Sequence, residues 1–122
     1  MKKYILIIFI TLLTIALLLF DPLRRNNKAI ERMILKRIPY QTEFDIAKKI
    51  IEDSKWSIEY VDMENGYELF DDYGVTIVGE KYMCIYLGAY RNFFITDVSA
   101  FLIFDDESKL IQIVIRKDTD GL

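Results

Sequence analysis

The chain has 122 residues, with 16 basic and 19 acidic side chains, no histidine and one cysteine. A chain of this length holds one small domain with one modest core. The missing histidine removes Ser-His-Asp and Cys-His catalysis, histidine-ligated zinc and imidazole proton switching. A lone Cys84 forms neither an intramolecular disulfide nor a CxxC metal site.

Residues 4–20 read YILIIFITLLTIALLLF, interrupted only by Thr11 and Thr14. As a helix rising ~1.5 Å per residue, this run reaches ~25 Å, close to the ~30 Å hydrocarbon thickness of a bilayer. Lys2 and Lys3 are placed to snorkel to headgroups, and Tyr4 suits the interface. The pattern predicts an N-terminal transmembrane helix within residues 1–23, with membrane lipid as the partner of residues 4–20. A cleaved signal peptide opens in the same way. The run is longer than the usual signal core, however, and no small-x-small site follows Phe20, so a retained anchor is the favoured reading. For orientation, Lys2 and Lys3 point to an inside N-terminus, whereas Arg24, Arg25, Lys28, Arg32, Lys36 and Arg37 would hold the other flank inside. The signal-like opening favours a single-pass protein of the cytoplasmic membrane with its domain on the periplasmic or extracellular side.

Every acidic residue lies beyond the apolar run, where 14 basic and 19 acidic side chains leave a net charge of −5. Proteins displace counterions from nucleic acid with basic surface. That class of partner is therefore set aside.

Residues 24–122 read as a single small α+β domain. Asp21-Pro22 ends the apolar helix, because the residue before proline disfavours helical backbone. Asn26 or Asn27 caps a new helix, and Ile30, Met33, Ile34 and Ile38 form its apolar face before Pro39 closes it. Arg25, Lys28, Arg32 and Lys36 fall mostly on the other side. A basic amphipathic stretch near a membrane can lie on anionic lipid, but the stripe is narrow and a packed helix with a solvated basic face is favoured. Thr42-Glu43-Phe44-Asp45 resembles a capping box. It opens a second helix, with Phe44, Ala47, Ile50 and Ile51 inward and Lys48 and Lys49 outward.

The period then changes to two. Strands are predicted at 57–61, 75–78, 82–87, 98–104 and 110–116, with Asn65-Gly66 as a hairpin signal before Tyr67. Asp71-Asp72-Tyr73-Gly74 and residues 105–109 read as turns. The expected architecture is an N-terminal transmembrane helix, then two short helices and a mainly antiparallel β-meander. Tyr82, Cys84 and Tyr86 share one strand face and Met83, Ile85 and Leu87 the other, which predicts a central strand or a sheet whose second face meets something. Tyr90, Phe93 and Phe94 are placed in a connection; core packing is the favoured reading of these aromatics, and if exposed they would suit a protein partner.

Carboxylates are the candidate catalytic groups present in number: Asp71, Asp72, Asp97, Asp105, Asp106, Glu107, Asp118 and Asp120. A hydrolase of the glycosidase type needs two of them facing each other at a set separation, and adjacent acids in turns are usually solvated. Asp105-Asp106-Glu107 lacks the alternating ligand pattern of a calcium loop and reads as a polar turn. The glycines show no phosphate-loop spacing. Cys84 reads as a buried core thiol. The sequence thus assigns no catalytic, cofactor-binding or metal-binding residues.

Ile38-Pro39 before a capped helix, Lys55-Trp56, Tyr86-Leu87-Gly88-Ala89-Tyr90-Arg91, the strand near 98–105 and Val114-Ile115-Arg116-Lys117-Asp118-Thr119-Asp120 form a pattern over residues 28–122. It resembles a group of small uncharacterised bacterial proteins that begin with a hydrophobic segment and end in an Asp-rich tail. The resemblance implies a helix-plus-sheet domain and carries no activity. A remoter likeness is to the helix-helix-sheet modules of envelope assembly lipoproteins, whose acylated cysteine has no counterpart here. The functional expectation is a non-enzymatic, membrane-anchored protein-binding module of the bacterial envelope. An immunity-like or inhibitor protein with a basic partner is the alternative, and a carboxylate-dependent hydrolase the third reading.

Overall fold

The computed structural model describes residues 2–19, 22–91 and 93–120. The first helix, α1 (Lys2–Leu19), carries the apolar run. Tyr4 and the large apolar side chains from Ile5 to Ile15 remain 48–72% exposed. The hydroxyls of Thr11 and Thr14 donate to the carbonyls of Ile7 and Ile10 at 2.8 and 2.9 Å, so their polarity is satisfied along the helix itself. Phe20 and Asp21, the expected end of the span, lie outside the described residues. Among those described, no helix is long and apolar enough to cross a membrane.

A 3-10 turn, η1 (Pro22–Arg24), leads into α2 (Asn27–Arg37) and α3 (Phe44–Glu52). Asn26 caps α2 by accepting the amide of Ala29 at 2.8 Å. Ile30, Ile34 and Ile38 are buried at α2's inner face and end, so the apolar stripe is consumed by the core rather than offered to lipid. The capping box expected at Thr42 does not form. Instead α3 begins at Phe44 behind Glu43, which makes no side-chain cap, and the Thr42 hydroxyl donates to the carbonyl of Pro39. The reason is tertiary. Gln41 and Thr42 exchange backbone bonds with Leu110, Glu43 bridges Lys109, and the Phe44 amide reaches the carbonyl of Ser108. The chain entering α3 is thus held as a short extended segment against the sheet.

Among the described residues six strands follow: β1 (Ser57–Asp62), β2 (Tyr67–Asp71), β3 (Gly74–Val78), β4 (Lys81–Arg91), β5 (Ile95–Phe104) and β6 (Leu110–Thr119). All described pairings are antiparallel, in a four-stranded sheet of order β1-β4-β5-β6 and a separate β2-β3 hairpin. The fold is α+β and mainly antiparallel, as expected, but the meander is confined to β4, β5 and β6. β1 pairs with β4, not with β2, so Asn65-Gly66 is no hairpin turn. That loop is instead organised by Asp62, whose Oδ1 accepts the amides of Glu64 and Asn65, both at 3.0 Å. Asp71 and Gly74 do pair across the two-residue turn between β2 and β3, as the sequence predicts. Tyr90, expected in a connection, is part of β4, and β4 pairs with β5 as far as Arg91 and Ile95.

The core lies between the helices and one face of the sheet. Met83, Ile85 and Leu87 from β4 meet Val98, Ala100, Leu102 and Phe104 from β5 and Leu110 and Ile113 from β6, under the inner faces of α2 and α3. The alternation of these helix-facing residues along β4 and β5 follows directly from strand geometry. The opposite face is only partly covered: the β2-β3 hairpin folds over it, with the Tyr67 ring 4.8 Å from Phe101 and 5.5 Å from Tyr82. This explains why Phe101 and Ile103 are buried although they point away from the helices. The rest of that face is open.

Candidate functional site

The open part of the helix-free face forms a cavity of about 510 Å³ lined by β1, β4, β5 and β6. Ser57, Glu59 and Tyr60 enter it from β1, Cys84 and Tyr86 from β4, Asp97 and Ser99 from β5, and Arg116 and Asp118 from β6. A second cavity of about 600 Å³ runs between the sheet and the β2-β3 hairpin and adds Asp62 and Glu68. The two share Tyr60, Phe101 and Arg116, and so adjoin as one trough. Among the described residues, five carboxylates line this trough against one guanidinium.

Each acid in the first cavity already has a local contact. Asp118 pairs with Arg116 at 2.9 Å, with both side chains well exposed, so the pair contributes at most about 1 kcal/mol. Asp97 accepts the Tyr86 hydroxyl at 2.9 Å, and this bond, followed by burial, raises the phenol above its ordinary value. Glu59 accepts the Cys84 thiol at 3.7 Å. Burial first, then the Glu59 charge, pushes that thiol up to about 11. Cys84 is therefore buried, as expected, yet it faces the trough rather than the helix-side core. An acidic neighbour and desolvation both disfavour its thiolate, which is the opposite of an activated nucleophile.

This makes a pH profile. At neutral pH the Cys84 thiolate is expected to be roughly 100-fold scarcer than that of an ordinary thiol. Modification of the folded chain by a small thiol reagent should be slow at pH 7–8 and accelerate only as the pH climbs toward about 11. The sign for stability follows from the raised value. The contribution is intact below the ordinary thiol value of 9.0 and is lost as pH rises through about 11. A neutral-pH rate equal to that of free cysteine would contradict this environment.

Of the eight candidate acids read from sequence, the structure brings Asp97 and Asp118 together, opposite each other in the β5-β6 register. The others are structural or solvated. Asp71 accepts the Tyr73 amide in the hairpin turn, and Asp105 accepts the amides of Glu107 and Lys109 in the β5-β6 turn. Asp72, Asp106, Glu107 and Asp120 are exposed. Three trough acids, Glu59, Asp62 and Glu68, lie outside those eight. Glu59 stands in β1 where the register with β4 shifts between Ile58 and Tyr60, so simple alternation does not say which way it points. Among the described residues, no three Cys, Asp or Glu side chains converge closely enough to hold a metal ion.

No protein-family model, no curated protein and no solved structure matches the chain.

Proposed function

We propose that the protein is a membrane-tethered, non-enzymatic binding module whose open sheet face takes a basic segment of a partner protein. The observation that carries this reading is the trough itself: Glu59, Asp62, Glu68, Asp97 and Asp118 face a single Arg116, with tyrosines between them. An extended chain laid across such a surface meets carboxylates for its cations and phenol rings for its stems. The exposed apolar surface of α1 supports tethering, since among the described residues Tyr4 and nine large apolar side chains stand in water unless lipid covers them. At ~1.5–3 kcal/mol for each such side chain fully buried, the drive to leave water is on the order of 15 kcal/mol. An inhibitor that neutralises a basic protein is a special case of the same reading.

The test uses the full chain in nonionic micelles, titrated with a lysine- and arginine-rich peptide. Binding that weakens with salt is expected. Glu59→Gln and Asp97→Asn should each weaken it roughly twofold to fivefold, as befits partly exposed charge pairs. Binding left unchanged by Glu59→Gln, Asp97→Asn and Asp118→Asn together would remove the trough from the account. A specific turnover abolished by Asp97→Asn would overturn the non-enzymatic reading.

A further inference from the structure

We infer that the tip of the β4-β5 hairpin, Phe93, Phe94 and Ile95, is a second membrane contact that seats in the lipid interface beside α1. The inference rests on reading α1 as a membrane anchor. Phe93 is 95% exposed, Phe94 40% and Ile95 45%, so three consecutive large apolar side chains project from one end of the sheet. That end is the one to which the anchor delivers the chain. Only two residues separate α1 from η1, and η1 packs against the C-terminal part of β4. Leu23 of η1 packs against the core, and its Cδ1 would lie 3.0 Å from a Cβ placed on Gly88.

The surroundings are those of an interfacial segment. Arg24 donates to the carbonyl of Arg91, and Lys117 donates to the carbonyl of Arg25 at 2.6 Å. Arg24 and Lys117 both lie over the Tyr90 ring, at 5.3 and 5.5 Å from its centre. Cations therefore gather behind the apolar tip, next to η1, on the helix-bearing side of the sheet. Lys117 is assigned to that side because it pairs with Val98, which is buried in the helix-side core. Asp97 and Asp118 lie on the other face, in the trough, while Asp120 follows β6 with its amide bound to the carbonyl of Ile95. Apolar and aromatic side chains inserted ahead of basic ones match the layering of an anionic bilayer, with acyl chains first and phosphates behind. At the far end of β5 the turn through Asp106 and Glu107 is polar and exposed, so the two ends of the sheet differ in the sense the inference requires.

The test places a tryptophan at each end of the full chain, in vesicles of phosphatidylcholine and phosphatidylglycerol at a ratio of about 3:1. Phe93→Trp reports the tip and Asp106→Trp the opposite turn, with the wild-type signal of Trp56 subtracted from both. Insertion should blue-shift the emission of the residue at 93, and headgroup-proximal spin-labelled lipid should quench it, removing on the order of half its intensity, as fits a ring lying ~5–10 Å into the interface. The residue at 106 should keep its solvent-exposed emission. An alkaline carbonate wash separates the two claims. Release of the chain would overturn the anchoring reading and this inference with it. Retention of the chain with equal quenching at 93 and 106 would overturn this inference alone.

Discussion

Phe104→Ala is expected to lower the stability of the domain by about 3–5 kcal/mol, the cost of emptying a fully buried aromatic site. Phe104 is completely buried at the end of β5, and its ring stands edge-on to Phe44 with centres 5.0 Å apart. That contact joins the first residue of α3 to the sheet, so the truncation removes packing from both elements at once. An edge-to-face pair adds about 0.5–1.5 kcal/mol beyond burial. A domain of this size has only ~5–15 kcal/mol in total, so much of it goes with one side chain. Denaturant unfolding of the full chain in micelles, followed by the half-buried Trp56, measures the loss directly. Tyr73→Ala is the control. It removes a ring that is 99% exposed at the β2-β3 turn and should stay within about 0.5 kcal/mol of wild type. A shift at Phe104 no larger than at Tyr73 would mean the helices are not seated on β5 as described.

Gly79→Ala is expected to loosen the β2-β3 hairpin from the sheet, with a loss on the order of 2–3 kcal/mol. Gly79 sits at φ +71°, and a Cβ there would lie 2.5 Å from Ile103 Cγ2 and 2.6 Å from the carbonyl oxygen of Phe104. Backbone cannot yield as a side-chain tip can, so the hairpin must move. Gly66 meets the same constraint from the other side, since its Cβ would stand 2.3 Å from the carbonyl oxygen of Gly79. The two glycines are thus the crossing point where the chain enters and leaves the hairpin. Gly66→Ala should cost a similar amount, and the double variant less than the sum, because a hairpin already displaced has no second clash to relieve. Amide exchange should quicken across β2 and β3 while β4 and β5 keep their protection. Uniform loss across the whole sheet, or none, would show that the crossing does not hold the hairpin down.

These two glycines also mark where the sequence stopped being legible. Asn65-Gly66 carries the local signature of a tight turn, but the glycine is required there by a backbone that arrives from thirteen residues later. The same limit explains Thr42, whose capping role is displaced by pairing with Leu110. Where the signal was periodic and the burial one-sided, as in Ile30, Ile34 and Ile38 or in Met83, Ile85 and Leu87, sequence and structure agree. The site was the least legible part. Asp97 and Asp118 were visible as acids among eight, but nothing local distinguished them from acids in turns. Their meeting depends on the β5-β6 register, and Glu59 joins them across a register shift in β1. Contacts made by strands distant in sequence leave no mark on either strand alone.

On the proposed tethering, the two-residue spacing between α1 and η1 would set how far the domain can search. Two extended residues span at most about 7 Å. Were α1 held in a bilayer, the domain would have almost no stalk, and a sheet whose longest strands run ~33 Å could not sample much beyond its own height. Binding would then be a lateral encounter within a thin layer over the lipid. A basic segment displayed higher than that would stay out of reach at any affinity, whereas one carried close to the membrane by its own anchor would meet the trough by two-dimensional diffusion.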